Sequence, residues 1–119
     1  MKITLYWKPI STQNAYWMRG KIKYLKKDAR ETKEDYIKQA KTQYNWPVME
    51  DKMLVLIHLY FWDKRRRDWD NWHKISMDAL EWVVYKDDTQ LDCDWVHRFY
   101  DKNNPRIEIW LRNAESADV

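Results

Sequence analysis

Residues 53–84 read MLVLIHLYFWDKRRRDWDNWHKISMDALEWVV, and their order of patterns decides the fold. The first nine, 53–61, form a β-branched and aromatic run of strand length. From 69 to 84 the apolar residues Trp72, Ile75, Met77, Ala79, Leu80, Val83 and Val84 recur closer to a period of 3.6 than of 2, which predicts a helix. Between the two lies a junction of opposite charges: Arg65, Arg66 and Arg67 stand directly against Asp68 and Asp70.

Working outward, residues 2–7 alternate polar and apolar as a short strand. Pro9 and the polar run Ser11, Thr12, Gln13, Asn14 then predict a loop. Residues 28–43 turn helical. Asp28 is placed to cap the helix, Glu31 follows three residues later as in a capping box, and Ala29, Tyr36, Ile37 and Ala40 share a face. Asn45, Trp46 and Pro47 end it. Beyond the central stretch, 86–89 form a polar turn. Residues 91–100 and 106–111 read as strands separated by DKNNP, whose Asn103, Asn104 and Pro105 are strong turn chemistry. The expected fold is α+β: one small domain over residues 1–119, with a mixed β-sheet of about four strands and two main helices.

The chain has 119 residues, enough for one core and too few for two. With 9 Trp and 8 Tyr in a chain that is 45% hydrophobic, material for that core is ample. The 22 basic residues exceed the 19 acidic ones only slightly, so the distribution of charge says more than the net +3. Arg19, Lys21, Lys23, Lys26 and Lys27 come together without an acid among them, residues 64–67 form a second basic block, and the end of the chain is acidic. Two such clusters suggest a footprint for a polyanion on one side of the molecule; solvated lysines on a loop and a helix face are the plainer alternative.

Other classes lose ground. One cysteine, Cys93, cannot form an internal disulfide, and the first residues lack the apolar run of a signal peptide, so a reducing cytoplasm is the expected location. No apolar stretch approaches the roughly 20 residues that cross a bilayer. With Gly20 the only glycine, there is no phosphate-cradling glycine loop, so no nucleotide cofactor is expected. His58, His73 and His97 lack the spacing of a zinc helix.

Asp68 and Asp70 are two apart, so in an extended segment both carboxylates point the same way and repel unless a cation neutralises them. Hard oxygen ligands of this kind suit magnesium or manganese better than zinc. Lys74 stands one helical turn beyond Asp70, and Asp88 follows the predicted helix where the chain can fold back. Three carboxylates and a lysine around one cleft are what metal-assisted phosphodiester hydrolysis needs, and the arginines would hold the polyanionic substrate against an acidic site. The competing structural reading has Asp68 and Asp70 capping a helix, with Lys74 in an i,i+4 ion pair worth about 0.3–0.5 kcal/mol. A calcium loop starting at Asp68 fails, because Trp72, His73 and Ala79 occupy its required ligand and glycine positions.

RRRDWDNWHKISMDAL followed by VVYKDD resembles the core of the RusA family of Holliday junction resolvases: D-x-D-N-x-x-K, an Asp-Ala-Leu helix, then paired aspartates. WKPISTQNAYW resembles that family's N-terminal Pro-and-Asn loop. The resemblance implies a homodimeric, magnesium-dependent endonuclease of recombination and repair, of phage or prophage type, that cuts four-way DNA junctions with paired nicks; manganese is the expected substitute ion. It implies that Asp68, Asp70 and Asp88 bind metal and act with Lys74 in catalysis, and that Asn71 supports the site. A C2 dimer matches the approximate two-fold symmetry of a four-way junction. Arg65, Arg66, Arg67, Lys21, Lys23, Lys26 and Lys27 are the candidate DNA contacts. Trp17, Trp69 and Trp72 lie beside them; Asp87 reads as a turn residue and Asp78 as a helix ion pair. The sequence departs from the family pattern in its bulky Trp69 and Trp72 and in the absence of the usual glycine before the paired aspartates. Two rivals remain at this point: a non-catalytic branched-DNA binding protein, and a nuclease that prefers flaps and forks.

Overall fold

The computed structural model describes residues 1–67 and 72–114, with the side chains of Gln13, Asn14, Cys93 and Asp94 excepted. Its elements are β1 (Lys2–Tyr6), α1 (Thr12–Ala15), β2 (Tyr16–Arg19), β3 (Ile22–Leu25), α2 (Lys27–Gln43), β4 (Met53–Phe61), α3 (Lys74–Leu80), a 3-10 turn (Asp88–Gln90), β5 (Leu91–Tyr100) and β6 (Arg106–Asn113). Four strands form one mixed sheet in the order β1-β6-β4-β5, with β4 parallel to β5 and antiparallel to β6. β2 and β3 form a separate hairpin. This is the expected α+β arrangement of four strands and two main helices, with the hairpin added.

Strict alternation in β4 sorts its side chains. Met53, Val55, Ile57, Leu59 and Phe61 are buried, and they join Ile3 and Leu5 of β1 and Ile107, Ile109 and Leu111 of β6 in one core. The helices supply the other half of that core: Ala29, Tyr36 and Ala40 from α2, Ile75, Met77, Ala79 and Leu80 from α3. Residues two apart on a strand share a face, so the opposite face carries His58 and Tyr60 of β4, His97 and Phe99 of β5 and Trp110 of β6. His58 sits with its ring centroid 4.5 Å from Trp110 and 4.9 Å from Phe99. It is thus a packed strand residue, as its place in the sequence implied.

The outer edge of β1 is closed by side chains. Gln43 accepts from the Thr4 amide at 2.8 Å and donates to the Thr4 carbonyl at 2.7 Å, and Gln39 does the same for Tyr6 at 2.7 and 3.0 Å. Two carboxamides thereby stand in for a missing strand and remove an edge that could otherwise pair with another chain.

Three expectations are corrected. The loop at Ser11–Asn14 contains a single helical turn, α1, whose Ala15 is buried. Asp28 does not cap α2: the cap position is Lys26, with no side-chain bond, and Asp28 stands inside the first turn, where its carboxylate accepts from the Ala29 amide at 2.9 Å and favours the positive end of the helix. The predicted helix over 69–84 is much shorter, α3 ending at Leu80; Trp69 lies outside the described residues. Glu81 leaves the helix in an extended conformation and Trp82 follows at φ 67°, so Val83 and Val84 belong to a turn. That left-handed conformation ordinarily favours glycine, and a non-glycine residue there costs about 1–2 kcal/mol. The glycine missing from the sequence pattern thus has a structural counterpart in a strained tryptophan.

Candidate active site

Asp68, Asp70 and Asn71 lie outside the described residues. The remaining parts of the proposed site can be built from their supports. α3 buries Ile75, Ser76, Met77, Ala79 and Leu80, which fixes the helix against the core and leaves Lys74 exposed at its first position. Its start is pinned by the His73 carbonyl, which accepts from the Ser76 hydroxyl at 2.7 Å and from the Met77 amide at 3.0 Å.

The chain after α3 folds back sharply and is anchored from below. Val84 and Tyr85 are buried; the Met49 amide donates to the Val84 carbonyl at 2.8 Å, and the Trp82 amide donates to the Tyr85 carbonyl at 2.6 Å. The Tyr85 hydroxyl donates to the Met77 carbonyl, tying the turn to the middle of α3. Burial pushes that phenol well above its ordinary range, and the carboxylates of Glu81, Asp78 and Asp88 push the same way. A tyrosine so placed remains a hydrogen-bond donor throughout the physiological range.

Asp87 caps the following 3-10 turn, accepting from the Thr89 amide at 3.0 Å. Gln90 completes the cap from the other side: its carbonyl accepts from the Lys86 and Asp87 amides at 2.9 and 2.7 Å, while its NH₂ donates to the carbonyls of Met49 and Asp51. The outcome is a cluster of carboxylates on a fixed base. One carboxylate oxygen from each of Glu81, Asp87 and Asp88 lies within 4.8 Å of the other two. Among the described residues this is the one group of three or more acidic, histidine or cysteine side chains so converged. The Thr89 amide holds the Asp87 carboxyl below its usual range.

A divalent ion fits this donor set in kind. The ligands are hard oxygens on exposed or half-buried side chains, with no sulfur and no imidazole. Magnesium at about 2.1 Å from each oxygen spaces neighbouring ligands by about 3 Å, so the three side chains would draw together around an ion. Lys74 and Glu81 occupy opposite ends of α3, about 10 Å apart along its axis.

The basic residues divide into two groups. Lys21, Lys23, Lys26 and Lys27 are exposed, as are Arg65 and Arg66. Arg67 is used inside the protein. Its side chain, 5% exposed, pairs with Asp63 at 2.8 Å and stacks over Phe61 and Trp62 at 4.5 and 4.6 Å. Trp72 contributes to the same cage, and the Arg67 carbonyl accepts from Arg98 of β5 at 2.5 Å. The backbone amide of Arg65 is the first of several groups that hold the Asp63 carboxyl below its ordinary range. The arginine run therefore enters the junction rigidly, with Arg67 as its anchor.

Sequence reasoning missed Glu81 and Tyr85. The signal was present in EWVVY: four residues of poor helix propensity after Leu80. Ending the helix there places Glu81 in a returning turn opposite Asp87 and Asp88. Asp87, read as a turn residue, is both a cap and a member of the carboxylate group.

The architecture is a mixed sheet whose core face is covered by helices, followed by a turn that gathers three carboxylates. The sequence matches the family Endodeoxyribonuclease RusA over residues 7–112, and the chain belongs to that family. No match was found among curated proteins.

Proposed function

We propose that this chain is a magnesium-dependent, structure-specific endodeoxyribonuclease that resolves four-way DNA junctions by paired nicks, as a homodimer, in recombination and repair. The whole chain, 1–119, is read as one nuclease domain acting in the cytoplasm of a bacterial host, phage or prophage encoded. The observation that supports this most is the carboxylate group at Glu81, Asp87 and Asp88 in a chain of the RusA family.

On this reading Asp68, Asp70 and Asp88 hold the ion, with Glu81 and Asp87 beside the last of them. When bound, magnesium, or manganese in its place, would supply Lewis-acid polarisation of the phosphate and make a bound water more acidic. Lys74 offsets the negative charge that builds on the phosphate oxygens, and Asn71 supports the acidic side chains. Arg65 and Arg66, with Lys21, Lys23, Lys26 and Lys27, grip the DNA backbone, while Arg67 fixes the segment that carries the first two. The carboxylates need the ion before a phosphate can approach, because a cluster of negative side chains repels an anionic substrate.

The test uses purified protein and a labelled four-way junction in magnesium. Paired nicks that disappear in EDTA and in Asp70→Asn are expected. Cleavage that persists under either condition contradicts the assignment, and junction binding without scission in magnesium or manganese identifies a binding protein. A panel of flaps, forks and junctions fixes the preferred substrate.

A further inference from the structure

The hairpin β2–β3 is built differently from the rest of the molecule. Gly20 and Lys21 form its two-residue turn between the paired Arg19 and Ile22, with Gly20 at φ 63°. Glycine with positive φ at the first turn position is the chemistry of a tight hairpin turn. Only Tyr16 and Leu25, at the base, pack against the core, and the Lys26 amide closes that base on the Ala15 carbonyl at 2.7 Å. Beyond them both faces are open: Trp17, Met18, Ile22 and Tyr24 are 46%, 60%, 57% and 38% exposed. An isolated two-stranded hairpin is marginal in water, and exposing four large apolar side chains on one makes little sense without a ligand.

Its chemistry selects the ligand. Trp17 and Tyr24 are cross-strand partners whose rings stack face to face at 4.7 Å and 20°, which leaves the outer face of each ring to a further ring. Arg19 shares the face of that pair, Lys21 stands in the turn and Lys23 on the opposite face, with Lys26 and Lys27 following, and residues 15–27 contain no acid. Lys23 additionally lies over the Tyr16 ring at 4.1 Å. Symmetric pairing of this hairpin with a second copy would set cations against cations. Aromatic rings among cations match a nucleic-acid strand instead, whose bases stack while its phosphates pair.

We propose that the hairpin is a stacking platform for unpaired nucleotides, Trp17 and Tyr24 receiving bases and Arg19, Lys21 and Lys23 their phosphates. This rests on DNA being the ligand and deepens that reading: the hairpin would favour branch points, where bases are unpaired, over continuous duplex.

Fluorescence anisotropy in EDTA, with cleavage switched off, tests it on a labelled four-way junction, a matched duplex and oligo-dT. Trp17→Ala and Tyr24→Ala are expected to weaken binding to the junction and to oligo-dT about tenfold each while leaving duplex binding and the salt slope unchanged. Trp17→Phe should restore most of the loss. Lys21→Ala and Lys23→Ala should each lower the slope of log affinity against log salt by about 0.7–0.9. Unchanged junction affinity in Trp17→Ala and Tyr24→Ala, an equal loss on duplex, or dissociation of an oligomer by either variant in sedimentation would overturn the proposal. Separate scoring of scission in magnesium keeps the two readings apart: a chain that binds as described without cutting retains the platform and loses the nuclease.

Discussion

The carboxylate turn and the basic hairpin place opposite charges at the surface on supports of opposite kind. Glu81, Asp87 and Asp88 stand on Val84 and Tyr85, both buried, and on a Gln90 side chain that bonds four backbone groups. The lysines of β2–β3 stand on a hairpin whose side chains beyond its base are exposed. On the proposed reading, the difference suits the geometry each task would tolerate. Ligand oxygens must converge to within a few tenths of an ångström, whereas a phosphate grip works over several ångströms and gains from a support that can follow the strand. The prediction is that substitutions under the turn damage the fold and the site together, while those on the hairpin change binding alone.

The largest expected effect is on the support. Tyr85→Ala empties a fully buried aromatic site and leaves the Met77 carbonyl without its donor, so a loss of about 3–5 kcal/mol of stability is expected in urea unfolding. A loss below about 1 kcal/mol would show that the turn is not anchored through this ring. Next is Glu81→Gln, which keeps the shape of the side chain and removes a charge from the group. It should weaken magnesium dependence of cleavage at least about tenfold, read from the ion concentration giving half the maximal rate. An unchanged titration would exclude Glu81 from the ion's surroundings.

Trp82→Gly has a smaller effect and the opposite sign. Glycine removes the left-handed strain of a side chain that is 66% exposed, so a gain of up to about 1 kcal/mol is expected in spite of glycine's greater freedom in the unfolded chain. A destabilised variant would mean that the exposed indole makes contacts worth more than the strain.

The smallest effect concerns pH. Burial pushes the Glu108 carboxyl up, but the Arg106 hydrogen bond and the charges of Lys2 and Arg106 outweigh it and leave it below the usual range; the Arg106 hydrogen bond lowers Asp101 in turn. Carboxyls with lowered folded values contribute stability that is present above their unfolded values and lost as pH falls through the folded ones, so the decline should begin below about pH 4. Glu108→Gln should make that decline shallower in urea midpoints taken from pH 2 to 6.

Much of this was legible in the sequence. The β-branched and aromatic run over 53–61 gave β4 to the residue, while its alternating burial, a period of two with one face on the core, appears only in the fold. The DKNNP turn placed β5 and β6 for a similar local reason. The second helix was read too long because Val83 and Val84 sit at helical spacing; what ends α3 is the backbone at Glu81 and Trp82, held by the bond of Trp82 to Tyr85 and by that of Val84 to Met49, which no local pattern displays. The hairpin was invisible as structure because its strands bury almost nothing, and burial is what writes periodicity into a sequence. Its cations were visible all the same. In the site, Asp88 could be named from a motif, but Glu81 could not be recognised until the helix was known to stop before it.

The two supports can be separated in one measurement: single-turnover cleavage of a labelled four-way junction at saturating protein in magnesium, for wild type, Asp88→Asn and the double variant Lys21→Ala/Lys23→Ala, with affinities titrated in EDTA. Asp88→Asn should bind at least as tightly as wild type and cut more than about 100-fold more slowly, since loss of a ligand should exceed the loss expected for an outer support. The hairpin variant should bind more weakly and, once saturated, cut at the wild-type rate. Wild-type cutting by Asp88→Asn, or a hairpin variant that binds normally and fails to cut, would contradict this assignment of chemistry to the turn and grip to the hairpin.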